Sequence, residues 1–298
     1  MLGAIAGDII GSTIEKLELE AFIGNKGNKE KQSRSLKERM LYLDSNYDLF
    51  PQGSKFTDDT ALTVAIAYAI LNNKSYALCL RDFGIKYFDI VEGFGPGFRK
   101  WVDLNRNINS EAKLIIGDSS ANGSAMRVSS IGFAFDTLEK VQQEAQKSAI
   151  CSHSHPEGIK GAVVVASTIF LALRGYSKEK IKRYIERNFK YNLSRKLDDI
   201  RPKYYFKMLC QNSIPEAIIA FLESNNFEDA IRKAISLGGD SDTIASITGG
   251  IAQAYYKEIP SFIEEKTRNL LDENILTIVN EFNSKYLLKK DKDREINI

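Results

Sequence analysis

The stretch Gly238-Gly239-Asp240-Ser241-Asp242-Thr243 runs directly into Ile244–Tyr256, a segment that is apolar nearly all round. A helix without a polar face belongs at the centre of a large bundle. Two further segments share that character, Ala61–Leu71 and Gly161–Leu173. Around them the periodicity is helical: Phe227, Ala230, Ile231, Ala234 and Ile235 fall on one helix face. Asp136 and Glu139 before Val141 predict a capping box, and Phe262–Tyr286 reads as one long amphipathic stretch. Alternating strands rich in β-branched residues are scarce. The chain reads as all-α. Nothing marks an internal boundary, so a single domain is expected over residues 1–288, followed by a charged, frayed tail at 289–298. Gly24–Gln52 is polar and poorly periodic, which predicts a long surface excursion.

The chain has 298 residues, with 41 Lys+Arg against 39 Asp+Glu and a net charge of +2. A hydrophobic fraction of 43% and a charged fraction of 27% exclude a disordered chain, a collagen-like repeat and a small disulfide scaffold. Cys79, Cys151 and Cys210 cannot all pair with one another, which favours a reducing compartment. The N-terminus has no basic region ahead of an apolar one, so it does not read as a secretory signal. Gly161–Leu173, fenced by Lys160 and Arg174, falls short of the roughly 20 apolar residues a spanning helix needs. A cytoplasmic protein without membrane contact is expected. Between Lys178 and Lys207 there are eleven Lys/Arg and four Asp/Glu. Such a run suits either a solvated helix face or a nucleic-acid partner.

Two of the three apolar helices open with the same chemistry. Phe56-Thr57-Asp58-Asp59-Thr60 precedes the first, and Gly239-Asp240-Ser241-Asp242-Thr243 the last. Asp and Thr are good N-caps whose charge suits the helix dipole. One cap needs one side chain, however, and each start supplies two carboxylates plus hydroxyls. If both starts face one cleft, four carboxylates repel unless a cation neutralises them. Hard oxygen donors of this kind suit Mg²⁺, Mn²⁺ or Ca²⁺ rather than zinc. Gly7-Asp8-Ile9-Ile10-Gly11-Ser12-Thr13-Ile14-Glu15 is a third acidic element, with Glu15 where the apolar pattern ends. Ser119-Ser120-Ala121-Asn122-Gly123-Ser124-Ala125-Met126-Arg127 is a small-residue loop entering a helix, able to offer backbone N–H groups to an anion. Gly93-Phe94-Gly95-Pro96-Gly97 is a tight turn. His153 and His155, the only histidines, lie beside Cys151, but no second ligand pair exists to complete a zinc site.

Together and in this order, these pieces resemble the ADP-ribosylglycohydrolase family, from Gly7 to about Tyr256. The resemblance implies an all-α orthogonal bundle with a central metal-binding cleft that holds two divalent cations, Mg²⁺ or Mn²⁺. It implies metal ligation by Thr57, Asp58, Asp59, Asp240, Asp242 and Thr243, with Asp8 as a supporting acid. It implies catalytic roles for Glu15, the acid at the cleft mouth, and for Asp240. Ser119, Ser120, Asn122, Gly123 and Ser124 match the loop that cradles the diphosphate, Gly95 a turn beside the ligand, and His153 a ligand contact. Ser120-Ala121 stands where the family commonly has an aromatic–glycine pair, and Ser130 where proline is frequent. The activity implied is hydrolysis of the glycosidic bond joining ADP-ribose to an acceptor, a modified protein side chain such as ADP-ribosyl-arginine. Modified nucleic acids or small molecules are alternative substrates. A non-catalytic ADP-ribose-binding module is the alternative from another class. An aspartyl-nucleophile phosphatase would need a β-strand before Asp240, where the sequence has an amphipathic helix and two glycines.

Overall fold

The computed structural model describes residues 1–24 and 35–287. The predicted tail at 289–298 and part of the Gly24–Gln52 excursion lie outside them. In chain order the helices are α1 (Leu2–Gly24), α2 (Leu36–Met40), α3 (Asp58–Leu71), α4 (Tyr76–Tyr87), α5 (Pro96–Asn105), α6 (Gly123–Met126), α7 (Ser129–Ala134) and α8 (Leu138–Ile150). They continue with α9 (Pro156–Leu173), α10 (Lys178–Phe189), α11 (Leu197–Ile200), α12 (Cys210–Leu222), α13 (Phe227–Ile235), α14 (Ser241–Tyr256), α15 (Ser261–Asn269) and α16 (Glu273–Tyr286). Among the described residues the only β-type pairings are two isolated bridges, Asp118 with His153 and Ala121 with Leu209.

The three all-round apolar segments are α3, α9 and α14, and all three are buried. Helix α14 packs against α1, α13, α12 and α9; α9 in turn lies against α6, α7 and α8. By length and composition α9 could cross a bilayer, being longer than the apolar run alone because it starts at Pro156. Its Val164, Val165, Ala166 and Ile169 are instead buried among these neighbouring helices.

The most extensive helix pair, α1 with α14, is made possible by small residues. A Cβ at Gly7 would overlap the Ala245 carbonyl, and one at Gly11 would overlap the Asp242 backbone. Backbones this close bring Asp8 and Glu15 on α1 alongside Asp242 on α14. The sequence feature that fixes the packing thus also assembles the acids.

Three local expectations need correction. The N-cap of α8 is Thr137, whose hydroxyl accepts from Lys140 N, so the Asp136–Glu139 pair is one residue out of register for a box. Phe262–Tyr286 is two helices, broken where the Asp272 carboxylate accepts from Ile275 N and caps α16. The described part of the Gly24–Gln52 excursion is not simply surface. Ser35 and Glu38 close a capping box on α2, which directs Arg39 into the protein. The buried Arg39 donates from Nη1 to the Leu237 carbonyl at 2.5 Å, just ahead of the Gly238-Gly239 turn.

Candidate active site

The site forms where α1, α3 and α14 meet the loop before α6. Both acidic helix starts face it. Asp8 accepts hydrogen bonds from Thr57 N (3.0 Å), Thr57 Oγ1 (2.7 Å), Thr60 N (3.0 Å) and Thr60 Oγ1. One carboxylate of α1 thereby satisfies free donors at the start of α3. Burial pushes the Asp8 carboxyl up to about 6, against the pull of those bonds. Asp8 supports the site by docking α3 and does not line the cleft.

Gly238 and Gly239 precede α14 with φ of 70° and 69°, in the left-handed region that favours glycine. That turn delivers Asp240, Asp242 and Thr243, all buried, to the cavity. One carboxylate oxygen from each of Glu15, Asp240 and Asp242 lies within 4.8 Å of the others. Asp59 holds Thr243 Oγ1 at 3.1 Å through Oδ2, while its buried Oδ1 has no protein partner. Asp58 sits against Gly93, where a Cβ would overlap its Oδ1.

The electrostatics agree with this geometry. Burial, then neighbouring carboxylates, holds Asp58, Asp59 and Asp242 well above the usual carboxylate range. Burial also raises Asp240, and the side chain of Asn122 partly offsets it. Glu15, half-buried, is pushed up to about 8 by desolvation, then by Asp240 and Asp8. So many buried carboxylates, one with an orphaned oxygen, fit a divalent cation bound by hard oxygen donors. The fit includes Glu15, whose carboxylate oxygen lies in the same cluster as those of Asp240 and Asp242. Thr57 donates its hydroxyl to Asp8, lies 3.4 Å from Asp242 Oδ2, and stands just behind the residues that line the cavity.

The opposite wall comes from the loop before α6. The cavity, about 240 Å³, is lined by Ser119, Asn122, Gly123, His153 and Gly95 as well as the acids. Asn122 donates from Nδ2 to Asp240 Oδ2 at 2.6 Å and from its backbone to Met208 O at 2.8 Å, so it orients an acid as well as facing the cleft. Two expected ligand contacts lie elsewhere. Ser120 is outside the lining, its carbonyl accepting from Cys210 N. Ser124 is fully buried and donates to Gly158 O at 2.7 Å, which pins the loop to α9. His155 caps α9 by accepting from Glu157 N, whereas His153 is the histidine in the cavity. Sequence reasoning missed Phe98, Leu62 and Met208 in the lining. Phe98 follows Gly95-Pro96-Gly97 and was open to discovery there; no local signal marks Met208.

Fold and site together define an all-α protein with an acidic, cation-type cleft facing a small-residue loop. The ADP-ribosylglycohydrolase family profile matches residues 1–293. The chain belongs to the ADP-ribosylglycohydrolase family, whose members are hydrolases of ADP-ribose linkages. It is 27% identical over 279 residues to ADP-ribosylhydrolase ARH3 of Mus musculus, covering 74% of this chain and 75% of that one. It is 21% identical over 283 residues to ADP-ribosylarginine hydrolase Tri1 of Serratia proteamaculans (strain 568), covering 86% and 70%. In fold it resembles an ADP-ribosylglycohydrolase-related protein complex, with a TM-score of 0.65 at 20% identity over 96% of this chain and 99% of that one.

Proposed function

We propose that the chain hydrolyses the glycosidic bond joining ADP-ribose to a protein side chain such as arginine, with two divalent cations, Mg²⁺ or Mn²⁺, in the cleft. The observation that carries this reading is the convergence of Glu15, Asp240 and Asp242 on one cavity shared with Ser119, Asn122 and Gly123. Thr57, Asp58, Asp59, Asp240, Asp242 and Thr243 are the residues to hold the cations, with Glu15 beside them. Bound there, the cations supply charge neutralisation and Lewis-acid polarisation.

Glycosidic cleavage passes through an oxocarbenium-like transition state and needs a group that delivers or removes a proton. Glu15 is suited to that work: it is half-buried at the cavity edge, hydrogen-bonded to Asp242, and raised to about 8. Asp240 is held in one orientation by Asn122, fixing its charge beside the reacting sugar. The loop from Ser119 to Gly123 positions the diphosphate, so the chain contributes chiefly orientation and electrostatics.

The test is release of free ADP-ribose from ADP-ribosylated arginine, serine and nucleic acid, each with EDTA, Mg²⁺ or Mn²⁺. Metal-dependent release from a protein linkage is expected. Release from nucleic acid alone overturns the choice of acceptor. Tight ADP-ribose binding without any release makes the chain a binding module, and no binding overturns the reading.

A further inference from the structure

Arg127 is fully buried, yet only one of its guanidinium nitrogens is satisfied. Nη2 donates to Ser148 O and to Ser152 Oγ, both at 2.8 Å, while Nε and Nη1 have no partner. A buried cation with unmet donors is costly as scaffolding, so such a residue invites a functional explanation. Its second contact supplies one. Ser152 Oγ lies 2.8 Å from Nδ1 of His153, the histidine that lines the cavity.

Arginine can only donate, so one lone pair of Ser152 Oγ is taken by Arg127. The single hydroxyl hydrogen of Ser152 then has one good acceptor, His153 Nδ1. Were Nδ1 protonated, that hydrogen would lose this acceptor, and the Cys151 thiol, 4.0 Å away, is itself a donor to Ser152 Oγ. A doubly protonated ring would also set a second positive charge beside the buried guanidinium. The other nitrogen, Nε2, lies against Gly123, where a Cβ would come within 3.1 Å of it.

We propose that Arg127, acting through Ser152, is a positioning residue that fixes His153 as the neutral Nε2–H tautomer and presents that N–H beside Gly123 as a donor to an anionic oxygen of the ligand. Burial and the Arg127 charge both disfavour the imidazolium, in keeping with this assignment. The effect on ligand binding rests on the proposed ADP-ribose site; the tautomer itself does not.

The experiment is ¹⁵N spectroscopy of the imidazole nitrogens. Only two histidines are present, and His155→Asn keeps a capping side chain while leaving His153 as the single ring. The expected pattern is a proton on Nε2 and none on Nδ1 between about pH 5 and 8, where a free imidazole titrates. Ser152→Ala should let both neutral tautomers appear and weaken ADP-ribose binding about tenfold, with metal titration unchanged. Ser152→Thr should restore the single tautomer and the affinity. Arg127→Met should reproduce Ser152→Ala; if it fails to fold, the Ser152 pair carries the test. A proton on Nδ1, or on both nitrogens at neutral pH, overturns the proposal. So does a spectrum that Ser152→Ala leaves unchanged. If the parent protein binds no ADP-ribose, the functional reading fails, and the spectrum still decides the tautomer.

Discussion

The two walls of the cleft handle buried charge in opposite ways. On the α3–α14 side burial, and after it neighbouring carboxylates, holds Asp58, Asp59 and Asp242 high, and one Asp59 oxygen has no protein partner. On the loop side a single guanidinium, Arg127, is tied to Ser148 and Ser152, and the neighbouring imidazole is kept neutral. The acidic wall is unfinished without a counter-charge. The loop wall already ties its charge to protein groups through Nη2, although Nε and Nη1 of Arg127 have no partner. Preorganised electrostatics of the second kind cost little at the moment of reaction, whereas the first kind depends on what the cleft captures.

Removing one carboxylate from the acidic wall should produce the largest effect and separate its members. Asp242→Asn should abolish measurable metal binding by calorimetry and lower ADP-ribose release by about 10²–10³-fold or more. Glu15→Gln, which keeps the shape and loses the proton-transfer group, should lose turnover to a similar extent with a much smaller loss of metal affinity. Equal loss of metal in both variants would mean that Glu15 is a ligand of the same rank as Asp242, as its place in the oxygen cluster allows.

The pH dependence of stability sharpens the same contrast. Glu15 and Asp8 have folded-state values raised to about 8 and about 6, above those of the unfolded chain. In that window the native state binds more protons than the unfolded state, so stability is full below it and falls as pH rises through it. Without metal, melting temperature should drop by several degrees as pH rises from about 5 to about 8. Added Mg²⁺ or Mn²⁺ should recover most of that loss at the alkaline end, because a bound cation replaces the protons. A flat profile in EDTA would show that the carboxylates are relieved in some other way.

These contrasts also mark what the sequence could reveal. The all-α fold was readable because α3, α9 and α14 are apolar on every face, which only a bundle centre accommodates. The acidic starts were readable because each carries more carboxylates than a cap needs. What spacing could not supply was depth. Ser124 and Ser119 look alike in the sequence, yet one is locked against Gly158 while the other lines the cavity. Asn122 lies 118 residues from the carboxylate it holds, and no local pattern carries that pairing. The α8 cap slipped by a residue because Asp136 and Thr137 are both competent caps, and tertiary packing decides between them.

The smallest effect is expected on the basic segment from Lys178 to Lys207, where composition suggested more than the fold delivers. Lys178 is drawn inward, donating to Tyr256 Oη at 2.9 Å and lying 4.9 Å from the Phe221 ring centroid. Arg201 is buried, donating to Ser236 Oγ at 2.8 Å and paired with Asp198. Arg195 holds Glu216 at 2.7 Å. Part of the positive run is therefore committed to packing, and Arg183 and Arg187 on α10 remain as exposed charges. A nucleic-acid-binding face would make affinity fall steeply with salt, by a slope close to the number of phosphates contacted. A solvated face contributes little, about 0–1 kcal/mol per exposed pair. Arg183→Ala with Arg187→Ala should thus leave release of ADP-ribose from a protein substrate within about twofold, with the same dependence on salt as the parent. A shallower salt slope in the double variant, seen with ADP-ribosylated nucleic acid and absent with protein, would instead make α10 part of substrate recognition.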